Sequence, residues 1–127
     1  MTPEIEKIID RAEDCLSDAV FNFEHNRFQV AINRSYYCMF DCISALLHHK
    51  DIFVKTHQGA HLKFAEHYVK PGILDISLAK ALSKVFDLRQ SSDYDFEFEP
   101  GEADISAALD HARTFLAATK TYFEANP

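Results

Sequence analysis

The chain has no tryptophan, and its 127 residues include only 3 glycines, 4 prolines and 3 cysteines. Sandwiches and barrels of many short strands need a turn roughly every ten residues, built mostly on glycine and proline. That supply is missing, so a mostly helical protein is the first expectation. Cys15, Cys38 and Cys42 are odd in number and show no CxxC spacing, which speaks against a disulfide framework and against a cysteine metal site. No apolar stretch of the leader-peptide type opens the sequence. The expected location is therefore a reducing cytoplasm, with the cysteines serving as small buried apolar residues. No apolar run approaches the roughly eighteen residues of a membrane span, so no membrane partner is expected. A glycine-rich phosphate loop, a GxSxG elbow and a spaced nucleophile, histidine and acid are all lacking, which leaves conventional hydrolase chemistry without support.

What is present is 47% apolar, 13% aromatic and 26% charged, a composition that excludes a disordered or low-complexity chain. The length suits a single domain over residues 1–127, with no room for a second core. Lysine and arginine number 13 against 20 acids, for a net charge of -7. Such a protein does not coat duplex DNA with its whole surface, and duplex DNA is not an expected partner. The charge is uneven, however. Residues 50–92 carry 7 bases and 4 acids, whereas residues 93–127 carry 2 bases and 8 acids. The basic third also holds His57, His61 and His67, and an anionic partner should be met there.

Periodicity predicts five helices. Thr2-Pro3-Glu4 reads as a capped helix start, and Ile5, Ile9, Ala12, Leu16, Ala19 and Phe23 follow at three- and four-residue steps. That helix should end near His25-Asn26. The second, from about Arg27 to His49, is apolar around most of its circumference, from Phe28 and Ile32 through Tyr36, Met39 and Phe40 to Leu47. A helix of that kind must be covered on all sides. It therefore occupies the centre of the bundle, offers a face to a second subunit, or does both; a homodimer is expected. After a connection over 50–56, the third helix runs from about His57 to Lys70 and stops at Pro71-Gly72. The fourth begins near Asp75 and aligns Leu78, Leu82, Val85, Phe86 and Arg89. Asp93 to Asp104, with six acids and no base, reads as a solvated loop. The fifth helix carries Ile105, Leu109, Ala112, Leu116, Thr119 and Phe123 as a bundle seam. The expected fold is all-α, an antiparallel bundle of four to five helices.

Several polar residues fall inside these patterns. Arg34 lies among apolar neighbours and requires a partner; Tyr37 and Asp41 share its face. The trio is either a polar network that fixes helix register or a phosphate-binding arginine with its supports. Arg89 and Asp93 are spaced for an i,i+4 ion pair, and Arg89 continues an apolar row toward the core edge, where Arg34 and Arg89 could converge. His57 and His61, four residues apart, have no third ligand placed by spacing, so no metal and no cofactor are expected. The two, His57 above all, read instead as helix capping, together with Thr56, or as the lining of an anion site.

Together the residues resemble a known family. Asn33-Arg34-Ser35-Tyr36-Tyr37-Cys38-Met39-Phe40, Ala45-Leu46-Leu47, Lys55-Thr56-His57, Phe64, Tyr68-Val69-Lys70-Pro71-Gly72 and Leu88-Arg89 with Asp93-Tyr94 resemble the prokaryotic HEPN domain. They are most similar to its small stand-alone branch with an RxxxDY motif. The resemblance implies a dimerising bundle of four or five helices, often encoded beside a minimal nucleotidyltransferase as toxin and antitoxin. Its catalytic members are metal-independent ribonucleases that use a closely spaced arginine and histidine at a dimer cleft. Here the positions that follow Arg89 at that spacing are Tyr94, Asp95 and Phe96, so the motif histidine is missing. The resemblance carries over Arg34, Tyr37, Arg89, Asp93 and Tyr94. It implies a homodimer that binds a nucleotide, an RNA or a nucleotidyltransferase through a cleft with two arginines. Tyr94 is then the acceptor of a nucleotidyl group. The alternatives are an endoribonuclease toxin, with Arg89, Asp93 and Tyr94 as catalytic candidates and His57 standing in for the absent base, and a non-catalytic helical adaptor.

Overall fold

A computed structural model describes all 127 residues, which form five helices and no strand. Helix α1, Pro3–Glu24, starts on Thr2, whose hydroxyl accepts from the Ile5 N–H at 3.2 Å, with Pro3 in the first turn. Its inward row is Ile5, Ile9, Ala12, Cys15 and Ala19. Asn26 then takes φ 60°, a left-handed conformation asparagine tolerates better than most residues, and the chain reverses into α2, Phe28–His49.

Helix α2 is the centre of the bundle and packs against α1, α3, α4 and α5. Of its 22 residues, 12 are buried, including Ile32, Tyr36, Met39, Cys42, Ile43 and Leu46. The chain thus covers its own most apolar helix, and Val30 is the one large apolar side chain of α2 left exposed. Burial inside one bundle covers most of that circumference.

Helix α3, His57–Phe64, is capped by Thr56, whose hydroxyl accepts from the Gly59 N–H at 2.9 Å. A Cβ at Gly59 would stand 2.8 Å from that hydroxyl, so the cap needs a glycine there. A helix over 57–70 was expected; the α-helix ends at Phe64 and continues as one π-helical turn, Ala65–Val69. The wider turn places the fully buried Tyr68 so that its hydroxyl donates to the Leu46 carbonyl, tying the turn to α2. Gly72, at φ 82°, completes the reversal.

Helix α4, Ile76–Tyr94, is capped by Asp75 and buries Leu78, Ala81, Leu82 and Val85. It runs two residues into the stretch expected to be loop, which puts Asp93 on its last turn. Helix α5, Glu102–Ala125, buries Ile105, Leu109, Ala112, Leu116, Thr119 and Phe123, the seam expected from spacing. The three cysteines are free and buried. No helix is long and apolar enough to cross a membrane.

Candidate functional site

Successive residues of a helix point about 100° apart, and this separates the two adjacent tyrosines of α2. Tyr36 is fully buried, while Tyr37 remains half-buried at the surface. Their rings meet edge to face with centroids 5.3 Å apart. Arg89 of α4 lies over both, its guanidinium carbon 5.3 Å from the Tyr36 centroid and 5.4 Å from that of Tyr37. Arg34, one turn before Tyr37, lies 5.3 Å from the Tyr37 centroid. Two guanidiniums from different helices thus meet on one aromatic ring, a favourable cation–π setting.

The two arginines differ in what they have left to give. Arg34 donates Nε and Nη2 to the Asn33 side-chain oxygen, at 3.0 and 2.7 Å, and Nη1 faces the Cys15 sulfur at 3.7 Å. Arg89 donates only Nε, to Asp93 at 3.1 Å, in a pair whose side chains are 13% and 26% exposed. Its two Nη groups bond nothing in the chain, yet they are not sealed from solvent.

Asp41 has another partner than the one expected. Its carboxylate, 5% exposed, accepts from Arg11 of α1 at 2.9 Å and lies 3.8 Å from the Cys15 sulfur. Seven helical residues span about 10.5 Å of axis. Arg34 and Asp41 therefore share a face but are not adjacent, and the antiparallel α1 sets Cys15 between them and Arg11 opposite Asp41. Burial, followed by the Asp41 charge, pushes the Cys15 thiol up to about 11.

The histidines come in from α3. His57 Nδ1 lies 2.8 Å and His61 Nε2 2.9 Å from the single hydroxyl of Tyr36. His57 packs on Phe40, ring centroids 4.3 Å apart, and His61 meets Phe86 edge-on at 4.9 Å. Burial, and then the charge of His57, lowers His61 to about 4; burial, and then Arg89, lowers His57. Burial raises the Tyr36 phenol far above its ordinary range, against an opposing pull from Arg89. At neutral pH this is a protonated phenol held between two neutral imidazoles.

Tyr94 ends α4 with 75% of its surface exposed, and Phe96 beyond it is 96% exposed. Of the larger surface hollows, one of about 510 Å³ is lined by Ile73, Leu74, Ala118 and Tyr122, far from the arginines in sequence, and another of about 360 Å³ is lined by Asp93, Asp95 and Phe96 at the end of α4. The arginine and histidine cluster is a polar and aromatic surface built by α2, α3 and α4. Tyr36 was not foreseen as a member of it. The four-residue step from His57 to His61 was visible in the sequence, but the hydroxyl on which they converge belongs to another helix.

Comparison with known proteins agrees with this architecture. The HEPN domain profile matches residues 5–122. A protein of Methanocaldococcus jannaschii, named as a candidate toxin, is 36% identical over 121 residues, covering 94% of this chain and 81% of its own length. A UPF0332 protein of Thermotoga maritima is 34% identical over 125 residues, covering 95% of each chain. A second candidate toxin of M. jannaschii is 30% identical over 117 residues, or 92% of this chain and 87% of its own.

Proposed function

The chain belongs to the HEPN family, and from that premise we propose that it is the RNA-binding member of a toxin-antitoxin-type module. It binds as a homodimer through Arg34, Tyr37, Arg89 and Asp93. The observation that carries this reading is the state of Arg89. Its guanidinium is stacked on two tyrosines and oriented by Asp93 through Nε alone, so both Nη groups are left to donate. An arginine fork held this way suits the paired oxygens of a phosphate. Tyr37, half-buried beside it, offers a ring edge to a base.

The open Nη groups of Arg89 beside the half-buried Tyr37 suit an extended strand, whose phosphate and base they could meet together. The candidate-toxin names of the M. jannaschii relatives support a partner of antitoxin type. The exposed Tyr94 hydroxyl suits modification by a nucleotidyltransferase partner. Val30 and Leu62 are large apolar side chains in water, and their exposure supports a second protomer. A second reading, RNA cleavage, is favoured by the neutral imidazole of His57 near Arg89.

Fluorescence anisotropy with a labelled single-stranded oligoribonucleotide tests the binding reading. Arg89→Ala should weaken binding at least tenfold, and affinity should fall as salt rises. Equal binding by Arg89→Ala, or no binding by the parent protein, overturns it.

A further inference from the structure

We propose that two joined hollows on the flank of α4 form a docking groove for a partner protein, and that the groove takes a segment carrying an apolar side chain and, two residues on, an arginine. This builds on the partner half of the proposed function, names the chemistry of that partner, and does not depend on RNA binding.

The first hollow, of about 270 Å³, lies between α4 and α5, with Val85, Leu88 and Ala108 among its walls. The second, of about 360 Å³, lies at the end of α4, with Phe28, Phe96 and Pro100 among its walls. Ser91 lines the first and Ser92 the second, so both open from one turn of α4, and Phe98 lines both. A bond from the Phe98 N–H to the Asp95 carbonyl, at 3.0 Å, holds that shared wall. Side chains i and i+2 of an extended strand stand about 7 Å apart on one face, a spacing that suits two adjoining hollows.

The two differ in chemistry. Aliphatic groups of α4 and α5 dominate the first, which suits an apolar side chain. The second holds three carboxylates, Asp93, Asp95 and Glu99, and no base. Asp93 is committed to Arg89, but Asp95 and Glu99 take part in no ion pair. No three acids, histidines or cysteines of the chain stand close enough together to hold a metal ion, so the cation that fits is an organic one. A guanidinium pairs with carboxylates through its fork and lies on aromatic faces at the same time, and this hollow offers both.

Ser92 is an independent sign that the second hollow receives a ligand. The hydroxyls of Ser35, Ser44 and Thr119 each donate to the carbonyl four residues earlier in their helix, the ordinary way for a helical hydroxyl to be satisfied. Ser92 is 6% exposed, and its hydroxyl is the one buried side-chain polar group without a partner. Its carbonyl is already taken, by the Gln29 side chain at 2.6 Å. Leaving a buried hydroxyl unpaired is unfavourable, and an N–H of an entering guanidinium relieves it. Asp93 belongs both to this hollow and to the Arg89 pair, so a partner docked here stands beside the RNA surface and the exposed Tyr94.

The test follows the assigned amide signals of the 15N-labelled protein as the capped peptide Gly-Leu-Ser-Arg-Gly is added to millimolar concentration, with a second peptide in which citrulline, uncharged and of the same shape, replaces arginine. Shifts should concentrate at residues 91–99, and the citrulline peptide should bind about tenfold more weakly. Asp95→Asn with Glu99→Gln should also weaken the arginine peptide about tenfold, whereas Asp10→Asn with Asp14→Asn, an equal loss of charge on exposed positions of α1, should change it less than about twofold. Asparagine at 95 still accepts from the Glu97 N–H, so the turn is kept. Phe98→Ala should weaken both peptides. Absence of shifts at 91–99, equal binding of the two peptides, or equal weakening by the two double variants overturns the groove. Oligoribonucleotide binding by Asp95→Asn with Glu99→Gln should not fall. RNA binding without peptide binding removes this inference alone, and peptide binding without RNA binding leaves it standing.

Discussion

Acidification should unfold this protein partly through one ring. His61 is held near 4 in the folded state against an ordinary value of 6.5, mainly by burial. In the unfolded chain it takes up its proton first. Its contribution to stability is therefore complete above pH 6.5, falls progressively as pH drops toward 4, and is gone below. The full difference corresponds to a ceiling of about 3.4 kcal/mol. His61 is partly exposed, and solvent screening reduces that to about 1–2 kcal/mol, roughly 3–8 °C in Tm for a domain of this length. Buried carboxylates also respond to acid, so the comparison must isolate the ring. His61→Gln keeps a group able to bond the Tyr36 hydroxyl but does not titrate. Urea unfolding at pH 7.5 and pH 4.5 should show the parent protein losing about 1–2 kcal/mol more than His61→Gln between the two. Equal losses would refute the assignment of His61 as a buried neutral imidazole.

Arg11 is 68% exposed, yet it is the one cation on a carboxylate that is 5% exposed. Arg11→Ala should therefore cost about 1–3 kcal/mol in urea unfolding, above the 0–1 of an ordinary surface pair, and a smaller loss would mean that water reaches Asp41. Light scattering at micromolar concentration should give a dimer, and a monomer of 14.5 kDa would contradict the homodimer. Co-expression with a neighbouring nucleotidyltransferase should add mass at Tyr94; an unchanged intact mass, or an adduct that survives Tyr94→Phe, removes that modification.

The helices were legible because their signals are local. The Thr2 cap, the α1 row from Ile5 to Ala19, the Asp75 start and the α5 seam all lie within single periodic stretches, and each appears where spacing put it. The π-helical turn at Ala65–Val69 was not legible, since the partner of its buried Tyr68 is a carbonyl of α2, which local spacing does not show. Site partners divided in the same way. Arg89 with Asp93 was readable as one turn of one helix, and the structure has that bond. The neighbour of Asp41 was not readable, because Arg11 reaches it across an antiparallel pair 30 residues away in sequence. Likewise, two histidines at a helical step advertise a shared target without naming it, and the target proved to be a phenol on α2.

The brevity of α3 has a consequence for how long the histidine centre exists. Eight α-helical residues and the five of the π-helical turn only reach the roughly 12–15 at which isolated helices are marginally stable, and Gly59 lowers the intrinsic preference further. The segment keeps its shape only while docked on α2. Partial opening of such a segment requires less free energy than global unfolding, and each opening carries both imidazoles away from Arg89 while the α1 and α2 hairpin stays packed. The fraction of molecules in which Tyr36 is paired with both imidazoles is thus set by the docking equilibrium of one short piece of chain. Whatever clamps that piece, a bound strand or a second protomer, raises the fraction without altering a single group at the centre.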